Sequence, residues 1–219
     1  MNRVIPPYGQ KGYLESKLAP DDSCVICNKH PANTCKQCQS IWYCSKTCQK
    51  SDWPSHKLLC KPFTNQEPRP SPDHKRAILF PADEEKPRLI WVFCERNSDP
   101  WEISDHMHTE DYIPADTPPG YARADYNPIT NRRLGSGFST QRLNDGYTIL
   151  FQFRDGFSID GSAINQSVLT AIGRSGQTPG YIWCGPVIAI REPEANFCGD
   201  VNLGDFRHII DFLITYNRS

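Results

Sequence analysis

The chain has 219 residues, 38% hydrophobic and 22% charged, with a formal net charge of −1. That length and balance suit one or two modest globular domains and exclude a polyanion-seeking basic protein. The longest apolar runs, such as Thr148 to Phe151, are far too short to cross a bilayer, so no membrane partner is expected.

The first segment, Met1 to Tyr13, carries Asn2, Arg3, Pro6, Pro7 and Lys11 and has no apolar core of the kind a secretory signal needs. Residues 1–20 are expected to be disordered. Ten cysteines in a secreted chain would suggest a disulfide framework, but seven of them crowd between Cys24 and Cys60. That crowding, with no signal segment, points to a reducing interior, the nucleus or cytoplasm.

The crowded segment reads Cys24-x2-Cys27, Cys35-x2-Cys38, Cys44-x3-Cys48 and His56-x3-Cys60. Soft thiolates with an imidazole select zinc, and such short spacers let neighbouring ligands close one tetrahedron. Eight ligands fill two four-coordinate sites and leave no open position, so the metal is read as structural: two zinc ions, no catalytic residue. Cys44 and Cys48 are four apart, as are His56 and Cys60, so each pair can project from one helical face. Short helices are expected around Ser45–Lys50 and Pro54–Leu59, because Pro54 belongs near a helix start. The segment has few core candidates: Ile26, Ile41, Trp42, Tyr43, Trp53, Leu58 and Leu59. Zinc, worth roughly 10–16 kcal/mol per structural site in finger peptides, compensates for so small a core. Spacing alone does not decide whether the ligand pairs combine sequentially or alternate.

All ten lysines lie at or before Lys86, and the stretch from Lys61 to Asp73 contains Pro62, Pro68, Pro70 and Pro72. The expected division is therefore a finger at 21–62, a semi-rigid proline-rich linker at 63–74 and a second domain at 75–219. Within that domain Arg88–Cys94, Tyr147–Phe153 and Val187–Arg191 have the β-branched and aromatic character of strands. Phe206, Ile209, Ile210 and Leu213 follow the i, i+3, i+4, i+7 pattern of an amphipathic helix with Asp205 as N-cap. Its Ile and Thr content leaves a terminal strand as the alternative. Pro-, Asp- and Gly-rich sequence between Ser98 and Gly146 predicts long loops, giving an α+β domain.

The run from Tyr43 and Cys44 through Cys48-Gln49, Asp52-Trp53 and His56-Lys57 to Cys60 resembles the second half of a MYND finger, and the first four cysteines fit that pattern too. The resemblance covers about 40 residues. It implies a cross-brace with interleaved sites: Cys24, Cys27, Cys44 and Cys48 on one zinc, Cys35, Cys38, His56 and Cys60 on the other. It also implies a protein-interaction adaptor that docks proline-rich peptides of a partner, such as a transcriptional regulator or a ubiquitin-pathway protein. Gln49 and Trp53 match the positions that form the peptide groove. An indole face packs well on proline rings, and a polyproline-II ligand loses little entropy on binding. Lys36 stands where the family often has a small residue, so ligand preference can differ. Trp183-Cys184-Gly185-Pro186 and Asp205-Phe206-Arg207-His208 resemble segments of small fungal MYND proteins, whose C-terminal domain suggests no mechanism.

Charge argues against nucleic acid. Asp21 to Lys61 holds six lysines and three aspartates, and two zinc ions with seven thiolates bring the sum to zero. A SET-type lysine methyltransferase is the main enzymatic rival. The Asn-His and Gly-Glu-Glu-Leu segments expected of it are absent, and little sequence precedes Cys24 to house its first half. Other catalytic patterns are weak. His106 and His108 alternate and could take a metal, but their setting is acidic, with eleven acids and four bases between Asp83 and Asp125, and reads as a solvated loop. Cys184 and His208 could be imagined as nucleophile and base, though Trp183 and Pro186 suggest a buried thiol; Cys94 and Cys198 read the same way. Gly135-Ser136-Gly137 lacks the third glycine and the preceding strand of a dinucleotide loop.

Overall fold

The computed structural model describes residues 23–27, 29–97, 104–113, 119–124, 133–134, 138–139, 147–174, 176–194 and 197–216. The N-terminal segment expected to be disordered, the Gly135-Ser136-Gly137 run and most of the predicted long loops lie outside them.

A sheet-rich body follows the finger. Its strands are β3 (His74–Phe80), β4 (Arg88–Arg96), β5 (Asp105–His108), β6 (Pro119–Ala124), β9 (Thr148–Arg154), β10 (Val187–Glu194) and β11 (Phe197–Gly199). They form one seven-stranded antiparallel sheet in the order β5-β4-β3-β10-β9-β6, with β11 added to β10. The finger contributes a two-stranded pair, β1 (Asn33–Thr34) and β2 (Trp42–Tyr43), and β7 (Arg133–Leu134) pairs with β8 (Phe138–Ser139). Three helices occur among the described residues: α1 (Lys46–Thr64), α2 (Gln166–Gly173) and α3 (Leu203–Thr215).

Period-two alternation sorts the strand residues onto two faces. Ile78, Phe80, Ile149, Phe151, Phe153, Val187 and Ala189 face the helices. Ala77, Leu79, Ile90, Val92, Leu150, Ile188 and Ile190 face the other way, with Cys94, Met107 and Ile113. All three expected strands are present, at Arg88–Arg96, Thr148–Arg154 and Val187–Glu194. Strand β3 was not anticipated: the charged His74-Lys75-Arg76 start conceals the buried Ala77–Phe80 run behind it.

The terminal amphipathic segment is a helix, and Phe206, Ile209, Ile210 and Leu213 are all buried. Its N-cap, however, is Asn202, one turn earlier than expected. Asp205 instead sits at the third helical position and completes a capping box, its carboxylate accepting from the Asn202 N–H at 2.8 Å.

The two short helices expected around Ser45–Lys50 and Pro54–Leu59 are one continuous helix, α1, with Pro54 and Pro62 inside it. An interior proline costs roughly 3 kcal/mol. Here the packed face of Asp52, Ser55, His56, Leu58, Leu59 and Cys60 carries the helix across that break. Ser45 caps it, its hydroxyl accepting from the Cys48 N–H at 3.2 Å.

Helix α1 runs past position 62, so Phe63 and Thr64 are helical rather than linker. The remaining proline-rich stretch is stapled to the sheet. Arg76 Nε donates to Gln66 Oε1 at 2.6 Å and Trp91 Nε1 to the Glu67 carbonyl at 3.0 Å. The Arg69 and Arg76 guanidiniums lie over the Trp91 ring. One contiguous core joins finger and sheet: Val25, Ile41, Tyr43, Leu58 and Leu59 belong to the same buried cluster as Phe80, Phe151, Phe206 and Ile210.

Candidate metal centre

The knuckles that present the cysteines are fixed by main-chain bonds. Cys27 N–H donates to the Cys24 carbonyl at 3.3 Å, Gln39 N–H to Cys35 at 2.9 Å and Cys35 N–H to Ile41 at 2.9 Å. Gln39 takes the left-handed conformation, φ 52°, that turns the chain after Cys38. The Val25 N–H reaches the Trp42 carbonyl at 2.9 Å and ties the first knuckle to β2. Helix α1 supplies Cys48, His56 and Cys60.

The chain thereby gathers two four-residue groups: Cys24, Cys27, Cys44 and Cys48, and Cys35, Cys38, His56 and Cys60, with the ligand atoms of each group within 4.8 Å of one another. The pairs alternate along the sequence, which is the interleaved arrangement. In the first group Sγ atoms stand 3.4 Å apart for Cys27 and Cys44, 3.6 Å for Cys44 and Cys48 and 3.9 Å for Cys27 and Cys48. In the second, Cys35 and Cys60 are 3.9 Å apart and Cys38 Sγ lies 3.8 Å from His56 Nε2. A tetrahedron with Zn–S of 2.3 Å has an edge of about 3.8 Å, so these spacings suit a zinc ion. They are too long for disulfides, and none of these seven cysteines is disulfide-bonded.

The electrostatics call for a cation. Burial pushes the Cys27 thiol up to about 12 and the Cys38 thiol up to about 11. Cys60 is raised as well, by burial and by its neighbours Cys38 and Cys35. Burial also opposes ionisation of Cys35, but the N–H groups of Cys38 and Gln37 donate to its sulfur and bring it below the usual thiol value. Burial lowers His56 and so favours the neutral ring that binds metal. Thiols this close cannot all ionise without a positive ion between them. Each cluster could therefore hold a zinc ion. The first lies nearer the surface, with only Cys24 buried; the second is buried throughout.

Around the second cluster is a polar network that the spacing of ligands did not suggest. Tyr43 donates to Asp52 Oδ2 at 2.6 Å, and Asp52 Oδ1 lies 3.5 Å from Arg207 Nη1 on α3. Arg207 also pairs with Asp211. Two serines add to the join: Ser40 Oγ accepts the Leu203 N–H at 3.0 Å, and Ser55 donates to the Ala171 carbonyl at 3.4 Å. The one sequence signal for Asp52 was its place in the Asp-Trp pair.

Gln49 and Trp53 lie one turn apart on α1. Gln49 is half-buried, while the Trp53 indole is 45% exposed with its ring 5.7 Å from that of His56. Cys184 and His208 are not joined by a hydrogen bond among the described residues. The Cys184 thiol contacts the Ile182 carbonyl at 4.0 Å, beside an isolated bridge to Ile164. His208 sits on α3, where burial lowers its imidazole to about 4. Gly185 takes φ 68°, and Asn165, fully buried, donates to its carbonyl at 2.7 Å and to that of Phe80 at 2.8 Å. The Trp183–Pro186 segment is thus built into a structural corner. Cys94 is buried and Cys198 half-buried.

No helix among the described residues is long and apolar enough to cross a membrane. Comparison with known proteins finds similarity over part of the chain, from 18% to 47% of it in the relatives that follow. Residues 24–60 match the MYND finger family model. Ubiquitin carboxyl-terminal hydrolase 19 of Arabidopsis thaliana is 46% identical over 48 residues, 22% of this chain and 7% of the relative. SET domain and MYND-type zinc finger protein 6 of Schizosaccharomyces pombe is 51% identical over 41 residues, 18% of this chain and 8% of the relative. Histone-lysine N-methyltransferase ASHR1 of Arabidopsis thaliana is 29% identical over 106 residues, 47% of this chain and 20% of the relative. The chain therefore spans a small fraction of the relatives it matches, and no solved structure matches it. With the family match and the two Cys/His clusters together, residues 24–60 form a MYND-type zinc finger.

Proposed function

We propose that the protein is a non-enzymatic adaptor whose finger, folded on two structural zinc ions, docks proline-rich peptides of a partner protein through Gln49 and Trp53. The zinc ligands are Cys24, Cys27, Cys44 and Cys48 for one ion and Cys35, Cys38, His56 and Cys60 for the other. The supporting observation is the Trp53 indole, 45% exposed on a helix whose other face is packed. A large exposed aromatic with a half-buried amide one turn away is what a polyproline-II ligand needs: a flat face for its rings and a hydrogen-bonding group for its free carbonyls. The finger rests on the sheet through a shared core, so the groove would be presented rigidly and little entropy lost on binding.

Selection from a proline-rich peptide library with the full-length chain tests this. Recovery of a consensus that Trp53→Ala does not retain supports it; failure to enrich any sequence counts against it.

The names of relatives such as ASHR1 keep a methyltransferase reading in view for residues 75–219. The aligned segments cover a minor share of those enzymes, and this sequence lacks the Asn-His and Gly-Glu-Glu-Leu segments. Methyl transfer by the purified chain to a lysine-bearing substrate would reverse the preference.

A further inference from the structure

The acidic segment around His106 and His108 is a strand edge, not the solvated loop expected from its composition. Residues 105–108 form β5, paired with β4 in the register His106↔Glu95 and His108↔Phe93. Alternation buries Met107 and Thr109 and leaves His106, His108 and Glu110 together on the outer side. A tight turn with Tyr112 and Ile113 N–H groups donating to the Thr109 carbonyl, at 2.9 and 2.8 Å, fixes the chain just beyond them.

We propose that His106, His108 and Glu110 form a third metal site, separate from the finger, that takes a divalent transition ion of the zinc type. Their ligand atoms lie within 4.8 Å of one another, and all three residues are exposed. With bonds of about 2.0–2.2 Å the closed set would need to draw in by about an ångström, within reach of side chains at the surface. Two imidazoles and a carboxylate are the donor set that suits zinc. The support around them is already in place. His108 has Glu110 on its Nδ1 side at 4.0 Å and Glu95 on its Nε2 side at 3.2 Å. A metal bound at Nδ1 leaves Nε2–H to donate to Glu95, the carboxylate–histidine–metal arrangement that fixes ring and tautomer. Phe93, itself packed on His74, lies tilted against His108 at 5.2 Å, and His106 meets His108 edge-on at 4.9 Å. Three protein ligands leave a position for water or for a donor from another molecule. Glu95 is a positioning residue rather than a ligand.

The test is calorimetric titration of Zn2+ into the full-length protein, wild type and the His106→Ala/His108→Ala pair, each first given the metal its finger retains after gel filtration. Wild type is expected to take up one further equivalent in the micromolar range and the double variant none. Glu95→Gln is expected to weaken that step tenfold or more while the stoichiometry stays the same. The quantity read is the difference of one equivalent between wild type and double variant, so it stands or falls independently of the finger's own zinc. Equal uptake by both proteins, or no further uptake by wild type, overturns the site.

Discussion

Asp52 in the finger's helix and Arg207 in the C-terminal helix face each other at 3.5 Å, with relative exposures of 1% and 2%. Tyr43 and Asp211 complete the group. Breaking one partner of a buried ion pair typically costs 3–5 kcal/mol, because the other charge is left without compensation. Asp52→Ala should therefore destabilise the zinc-loaded protein by about 3 kcal/mol, and Tyr43→Phe by about 1 kcal/mol. In a double-mutant cycle, Asp52→Ala and Arg207→Met together should cost well under the sum of the singles. Additive losses in urea unfolding would mean that the pair does not act as a unit.

Because Ile41, Leu58 and Leu59 share a core with Phe80, Phe206 and Ile210, finger and sheet should unfold together. Calorimetry of the zinc-loaded protein should show one transition, and Cys60→Ser should shift the whole of it downward. Two resolved transitions, with only the first moved by the substitution, would establish independent units.

The interleaved arrangement makes a sharp stoichiometric prediction. Cys27→Ser/Cys44→Ser should lose one zinc and keep the other, since both cysteines belong to the same group. Cys27→Ser/Cys35→Ser removes one ligand from each group and should weaken both. If sequential pairing were correct, the two outcomes would be exchanged, and metal analysis after gel filtration reads them directly.

His208 supplies a pH dependence. Burial is the first cause of its depressed value, about 4 against an ordinary 6.5; Arg207 and Arg191 lower it further and Asp205 opposes them. Between those two values the unfolded chain binds the extra proton and the folded chain does not. Stability is thus lost as pH falls from about 6.5 towards 4, by at most about 1.4 kcal/mol per pH unit. Zinc release in acid adds its own loss, so the informative quantity is the difference between wild type and His208→Gln. The variant should have the shallower slope, and parallel curves would show that His208 is not responsible.

Much of the finger could be read from the chain because ligand spacing is a local property: separations of three and four positions limit which side chains can meet. The alternation of the two groups was not local, and only resemblance to a family suggested it before the fold brought Cys27 to Cys44 and Cys38 to His56. Apolar periodicity likewise located α3 and three central strands. The failures have physical causes. Pro54 marked a helix break that packing overrides. The capping box moved the start of α3 to Asn202, because Asp205 serves it from within. Composition made the His106 region read as a loop, although Met107 and Thr109 alternate inward with strand period. Beyond the place of Asp52 in the Asp-Trp pair, Asp52, Ser40 and Ser55 gave no sign of their roles, since their partners are Arg207, Leu203 and Ala171, all more than a hundred residues away.

The most direct measurement is the affinity of a labelled proline-rich peptide for the full-length protein, compared with Trp53→Ala and Gln49→Ala, with zinc content checked in each. Saturable binding by wild type and at least tenfold weakening in Trp53→Ala, about 1.4 kcal/mol, with zinc retained, is the predicted result. Equal affinity for wild type and Trp53→Ala would contradict a peptide groove at this face of the finger.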